Sequence, residues 1–194
     1  MSARAIVFKN RGALLAIPAL ILVILGKPSV NSIIAGLGPA FAGEGFRCLA
    51  VGYSGITTRA DHVVAPQLVT AGPYAYLRNP LYVGNFLTAF GFALAFTGNN
   101  PPIERLILIA ISLAVMIAVY VIIVPHEEEF LRTTFGAAYD DYAAHVPRVW
   151  PRWPGYYVAQ HGAYDPSVIA RAESRTFVFF GLMLIILLAK AFFQ

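Results

Sequence analysis

Three consecutive carboxylates, Glu127-Glu128-Glu129, follow directly on an apolar stretch. At the end of a helix such a run is unfavourable, because that end prefers cations and the carboxylates repel one another. A cationic ligand or nearby arginines would relieve both costs; a solvated acidic patch is the plainer alternative. A second cluster is Gly72-Pro73-Tyr74-Ala75-Tyr76-Leu77-Arg78-Asn79-Pro80-Leu81-Tyr82-Val83-Gly84. Asn79-Pro80 has the form of an N-cap followed by proline at the first helical position. The N–H groups of such a helix start can hold an anionic group. Tyr74, Tyr76 and Tyr82 fit this place either as rings facing a ligand or as interfacial belt residues. A third pair, Glu44 and Arg47, is spaced to share one helix face and to pair there. It lies inside an apolar stretch, where ionisable residues mark either function or a structural ion pair. The four histidines, His62, His126, His145 and His161, show no metal-ligand spacing, and no metal is expected. There is no nucleophile elbow, phosphate loop or dinucleotide fingerprint.

The elements that must position these groups are apolar. The chain has 194 residues, of which 58% are hydrophobic and only 12% charged, about half the charged share of a soluble domain. Such a deficit suits the bilayer, where buried charge costs several kcal/mol. Five stretches stand out: Gly12–Leu25, Ser32–Tyr53, Leu81–Thr97, Leu106–Val124 and Thr176–Phe193. We expect an all-α, polytopic transmembrane helical bundle of about five spans. The basic start and first apolar run also fit a signal peptide, but no small-residue cleavage site follows. The net charge of +4 is too small and scattered for nucleic acid, and the single Cys48 allows no internal disulfide.

Charge asymmetry orients the bundle. With a cytoplasmic N-terminus, Arg4, Lys9, Arg11, Arg59, Arg78, Arg132, Arg148, Arg152, Arg171 and Arg175 fall on one side, and Lys27, Arg105 and Lys190 on the other. The positive-inside rule makes the first side cytoplasmic. Small residues at Gly84, Thr88, Gly91 and Ala95 and at Ala110, Ala114 and Ala118 suggest a tight hairpin of the third and fourth helices, turning at Gly98-Asn99-Asn100-Pro101-Pro102. That hairpin brings Asn79–Tyr82 near Glu127 and Glu128. The aromatics and arginines of Trp153–Arg175 read as a strip on the membrane surface.

In order and spacing these residues resemble the isoprenylcysteine carboxyl methyltransferase family and the related membrane phospholipid methyltransferases. The resemblance runs from about Leu68 to Pro151. It is carried by Gly72-Pro73-Tyr74, Arg78-Asn79-Pro80-Leu81-Tyr82-Val83-Gly84, Glu127-Glu128-Glu129-Phe130-Leu131, Phe135-Gly136, Tyr139, Tyr142 and Val146-Pro147-Arg148. It implies one membrane domain over 1–194: N-terminal helices in 1–66, a methyltransferase-like catalytic half in 67–152, and a surface segment with a last span in 153–194. It further implies a cofactor pocket at the cytoplasmic side of the bundle, S-adenosylmethionine as cofactor, S-adenosylhomocysteine as product, and cofactor contacts from Gln67, Leu68, Val69, Tyr74, Asn79, Pro80, Leu81, Tyr82 and Glu127. Glu127 would accept hydrogen bonds from the ammonium or ribose hydroxyls, the helix start at Pro80 would face the carboxylate, and tyrosine faces suit a sulfonium. We place Arg78, Tyr82 and Glu128 at the reacting centre, and Glu44 and Arg47 on the substrate. The family's histidine is Asn79 here, which excludes a base at that position. The arginine four residues before the first glutamate is Ile123 here, which takes away a cation for a carboxylate acceptor and leaves Arg47 or Arg78 to replace it.

The expected activity is methyl transfer to a lipid-like acceptor from the bilayer, an isoprenylcysteine-type carboxylate or thiol ahead of a phospholipid amine, in an integral protein of a bacterial inner membrane with its active site facing the cytoplasm. A carboxylate is already ionised near neutral pH; an amine must first lose a proton, with Glu128 as taker. Two other classes compete. An NADPH-dependent membrane reductase would want an arginine cluster for its phosphate, which the carboxylates oppose. In a non-enzymatic subunit or transporter, Glu44 and Arg47 would mark a pathway. All of the enzymatic reading requires the Asn-Pro turn and the acidic triplet to meet in one pocket at the water–lipid border.

Overall fold

The computed structural model describes residues 3–55, 63, 65–156 and 161–193, and helices are the regular elements among them. Arg59 and His62 lie outside the described residues. A short α1 (Ala3–Lys9) bends by 60° into α2 (Arg11–Leu25). Then come α3 (Val30–Ser54), α4 (Pro80–Phe96) and the long α5 (Pro102–Phe135). They are followed by α6 (Ala137–His145), the short α7 (Ile169–Ala172) and α8 (Ser174–Phe193). A 3₁₀ turn over Gly72–Ala75 leads toward α4.

All five apolar stretches become helices, but five spans are more than their length and composition support. Two helices qualify alone: α5, with a window of mean hydropathy 3.1, and α8, at 2.4. The bent pair α1–α2 would add a third if it crosses as one span. α4 is apolar but has 17 residues, the lower edge of what a bilayer needs. α3 has 25 residues, but its glycines and the Glu44–Arg47 pair dilute its apolar character.

The tight helix pair is α3 with α4, which corrects the expected α4–α5 hairpin. A Cβ on Gly36 would lie 2.3 Å from the carbonyl of Gly91, one on Gly91 2.4 Å from the amide of Ala40, and one on Gly43 2.5 Å from the carbonyl of Gly84. Backbones in such contact need glycine on both sides. Ser32 Oγ, in a reciprocal capping box with Ser29, also donates across the seam to the Ala95 carbonyl at 2.8 Å. On α5 the face carrying Ala110, Ala114 and Ala118 is exposed, and Leu108, Ser112, Met116, Val119 and Ile123 turn inward. α8 closes the core: Phe180 meets Phe92 and Phe41 at ring separations of 5.0 and 5.1 Å.

The helix ends sort by charge. At one end Asn100 accepts from the Lys27 amide at 2.8 Å and donates to the Leu25 carbonyl at 3.0 Å, and Lys190 Nζ donates to the Val23 carbonyl at 2.6 Å. The opposite end gathers the starts of α2 and α4, the last turns of α5 and all of α6. Arg4 there reaches Glu129 at 3.5 Å.

Because backbone atoms bound Gly91 on two sides, Gly91→Ala should destabilise the protein by about 1–3 kcal/mol through overpacking. Gly38→Ala, with nothing within 4 Å of its Cβ, should be neutral or stabilising by up to about 1 kcal/mol. Unfolding midpoints in detergent measure both.

Candidate active site

A cavity of about 650 Å³ opens between α2, α3, α4, α5 and α8. The residues assigned from the sequence to the reacting centre, cofactor and substrate line it: Gln67, Leu68, Val69, Tyr74, Arg78, Asn79, Pro80, Leu81, Tyr82, Glu127 and Glu128, with Glu44 and Arg47 on its α3 wall, whereas Tyr76 and Glu129 do not. Away from these polar groups the lining turns apolar, through Leu22, Phe92, Met116, Phe179 and Met183. The cavity is therefore amphiphilic, a polar mouth over an apolar depth.

The acidic triplet does not end a helix. α5 runs through Pro125 and continues to Phe135, so the expected clash with a helix C-terminus does not arise. Consecutive helical residues point about 100° apart, and the three carboxylates go three ways. Glu127, half-buried, faces the cavity and accepts a hydrogen bond from the Tyr82 hydroxyl. Glu128, buried, takes Arg78 at 3.1 Å and Arg148 at 2.6 and 2.9 Å. Glu129 turns outward to Arg4. A carboxylate held by two guanidinium groups has no lone pair left over for an amine's proton. Glu128 thus has the geometry of a clamp, and Glu127 is the carboxylate beside the cavity's tyrosine.

The start of α4 is fixed by the same clamp. Arg78 donates from its amide to the Pro147 carbonyl at 2.8 Å and from its side chain to the Ala143 carbonyl at 2.6 Å. Asn79 occupies the N-cap position but makes no capping bond; its side chain donates to the Arg148 carbonyl at 3.2 Å instead. So the Asn79 side chain serves as a donor; its carbonyl accepts from the Tyr82 and Val83 amides at 3.2 and 3.3 Å, and the Leu81 N–H is left uncovered. Tyr142 donates to the Tyr74 carbonyl at 2.7 Å and holds the 3₁₀ turn onto α6. Burial lifts Tyr74 and Tyr142 well above the ordinary tyrosine range, which keeps both as donors. Burial, reinforced by the Glu128 charge, pushes Tyr139 up to about 12. The hydrogen bond to Glu128 raises Arg148 further above its already high value.

On the α3 wall the Glu44–Arg47 pair forms as spaced, at 3.8 Å. Arg47 also donates from one terminal nitrogen to both Glu173 oxygens at 2.7 and 2.8 Å, and from the other to the Asn85 side-chain oxygen of α4. Glu173, fully buried, arrives from the end of α7. The segment expected as a surface strip is mostly exposed and is tied to the helices through its loop. The His161 carbonyl accepts from Thr70 at 2.9 Å, Asp165 donates to the Gly52 carbonyl at 2.8 Å, and Tyr164 packs on Tyr53. Its positions 157–160 lie outside the described residues.

Several lining groups escaped sequence reasoning. Arg11 brings a cation close enough to Glu127 and Tyr82 to act on them. Tyr139 lines the cavity at 1% exposure, and among the described residues its hydroxyl has no hydrogen-bond partner. Ile123, where the resembled family has an arginine, is fully buried against Phe8 and Val119 in the packing of α1 on α5. Only the Tyr139 signal was in reach, through its motif position. Among the described residues no group of three or more His, Cys, Asp and Glu side chains forms a metal cluster.

The phospholipid methyltransferase family model matches residues 16–138, more than half of the chain. The nickel-cobalt-cadmium resistance protein NccN of Alcaligenes xylosoxydans xylosoxydans is 36% identical over 86 residues, 44% of this chain and 37% of that protein. The match thus spans little more than a third of that relative. No solved structure matches the chain.

Removing the charge of Glu128 leaves two arginines without their shared anion. Glu128→Gln should therefore lower stability by about 2–4 kcal/mol, toward the lower end for a broken buried pair because Arg148 is half exposed. Chemical unfolding in detergent checks this; an unchanged midpoint would show that the clamp does not hold the α4 start.

Proposed function

Because the chain belongs to the phospholipid methyltransferase family, we propose that its cavity holds S-adenosylmethionine at the polar mouth and a lipid-like acceptor in the apolar depth. A membrane methyltransferase acting on lipid is what the family provides; the isoprenylcysteine carboxyl methyltransferase assignment goes further than the match. The observation that carries the proposal is convergence: the start of α4, Tyr74, the strip Gln67–Val69 and the Tyr82–Glu127 pair line one cavity with an apolar floor.

The residues present fit the cofactor. Glu127 offers an anionic acceptor for an ammonium or for ribose hydroxyls. The first turn of α4, left uncovered by the Asn79 side chain, offers the Leu81 N–H to a carboxylate, since the Tyr82 and Val83 amides already donate to the Asn79 carbonyl. The orphaned Tyr139 hydroxyl is costly while unmade, by about 1–3 kcal/mol, and a ligand acceptor would relieve it. The bound cofactor supplies an electrophilic methyl on a sulfonium. The protein's task is alignment in a dry cavity, which accounts for most of the acceleration in a displacement that loses charge.

For the acceptor, we keep an isoprenylcysteine-type carboxylate or thiol as the leading reading and a phospholipid amine as the second. A carboxylate needs a cation in the cavity. Arg78 is held by Glu128 and Arg47 by Glu173, and Lys9, Arg11 and Arg175 are further cations that line the cavity. An amine needs a proton acceptor, and Glu127 suits better than the clamped Glu128. Among the described residues, Arg47, Arg78 and Arg148 are each engaged by a carboxylate, which leaves them poorly placed for a dinucleotide phosphate. The mouth sits at the arginine-rich end, which supports a cytoplasmic active site in a bacterial inner membrane.

Calorimetry on the purified protein tests the cofactor. Heat should appear with S-adenosylhomocysteine and none with NADP; heat with NADP alone would favour a reductase, and silence with both a non-enzymatic subunit. Glu127→Gln should weaken S-adenosylhomocysteine by about 1–3 kcal/mol, the scale of a charged hydrogen bond. Unchanged affinity would displace Glu127 from the site.

A further inference from the structure

The chain contains two tryptophans, Trp150 and Trp153, and they share one short loop after α6. Both are strongly exposed, at 82% and 83%, and the adjoining Val149 is 54% exposed. The loop is held in place. The Arg152 amide donates to the Tyr76 carbonyl at 2.9 Å, the Tyr156 amide to the Ala75 carbonyl at 2.7 Å, and the Asn79 side chain to the Arg148 carbonyl at 3.2 Å. The Trp153 ring stacks on Tyr76 at 5.3 Å, with 21° between the ring planes. So an ordered framework, tied to the residues just before α4, keeps two indoles outside the fold. Large apolar groups held outward in this way are the mark of a surface meant to be covered.

Charge on the loop says by what. Two arginines flank the indoles. Arg78, Arg148 and Glu128 together carry two positive charges against one negative, and the Arg148 side chain is 55% exposed. Arg152, also exposed, donates to the His145 carbonyl, a neutral acceptor. The nearby acids are turned to other groups: Asp140 to Arg132, Asp141 to His145 and Tyr156. The loop sits at the start of the apolar helix α4, where a bundle embedded in lipid meets the headgroup layer. Tryptophan prefers that layer, and arginine beside it favours anionic headgroups.

We propose that the loop over 148–153 is an interfacial anchor, inserting Trp150 and Trp153 at headgroup depth and setting Arg152 against anionic lipid. Its place beside Arg78 and Asn79 puts it at the rim of the cavity, where it fixes the depth of the mouth in the membrane. This inference does not depend on the cofactor or on methyl transfer.

Both tryptophans of the chain lie in this loop, so intrinsic tryptophan fluorescence of the full chain in vesicles reads the loop alone. The expected result is emission blue-shifted from water, insensitive to aqueous iodide, and quenched more by phospholipid brominated close to the headgroup than near the chain end. At equal mole fraction, brominated phosphatidylglycerol should quench about twofold more than brominated phosphatidylcholine, the order expected for an arginine at an anionic surface. Arg152→Gln should remove that difference while leaving emission blue-shifted. Trp150→Phe and Trp153→Phe assign the signal to each ring. Water-like emission with full iodide access would overturn the anchor and leave the surface to a soluble partner. Equal quenching by the two lipids in the unsubstituted protein would overturn the anionic preference.

Discussion

One buried carboxylate between two arginines organises the polar end of the protein. Glu128 receives Arg78 from the approach to α4 and Arg148 from the turn after α6. Three segments distant in the chain are thereby held together: the start of α4, the second half of α5 and the Val146–Arg148 turn. Two cations also share a single anion, so the cluster keeps one positive charge beside Glu127. A carboxylate in that position is poorly suited to taking a proton and well suited to keeping its neighbours in place. The separation of roles between Glu127 and Glu128 follows from helical geometry alone, since adjacent residues on α5 cannot face the same partner.

A second constraint lies deeper. The seam of Gly36, Gly43, Gly84 and Gly91 brings α3 and α4 into backbone contact, and this sets the α3 wall of the cavity. Ionisable groups so far inside an apolar bundle are expensive unless paired. Here Arg47 is shared by Glu44 and Glu173 and hydrogen-bonded by Asn85. Glu173 lies beyond the residues 16–138 that match the family. The segment before α8 therefore completes the ion network of α3 and α4, and Phe179 and Met183 of α8 complete the apolar wall.

Helices α2, α3, α4, α5 and α8 were legible from the apolar stretches, whereas the short α1, α6 and α7 were not, and the bounds of the legible ones fall within a few residues except in α5. There the polar run after Val124 read as an end, whereas a helix carries polar residues without stopping once its solvent-facing turns leave the apolar layer. The tight pair was misplaced because small residues on α5 and α3 look alike in sequence; only tertiary contact shows that Ala110, Ala114 and Ala118 face outward. Candidate site residues were legible through motif order, and the structure gathers them in one cavity. Arg11 and Glu173 were not, and Arg148 was legible only as a motif position, because each acts through a long-range ion contact that no local spacing encodes. The missing arginine at Ile123 has a plain physical counterpart: that position packs α1 against α5.

The central claim is that the mouth formed by the α4 start and Glu127 is where the methyl donor sits. Ultraviolet cross-linking of radiolabelled S-adenosylmethionine to the membrane-embedded protein, followed by peptide mapping, tests it most directly. The account predicts label confined to peptides spanning 67–82 and 127–139, competed away by unlabelled S-adenosylhomocysteine. Label elsewhere in the chain, or label that the competitor leaves untouched, would contradict it.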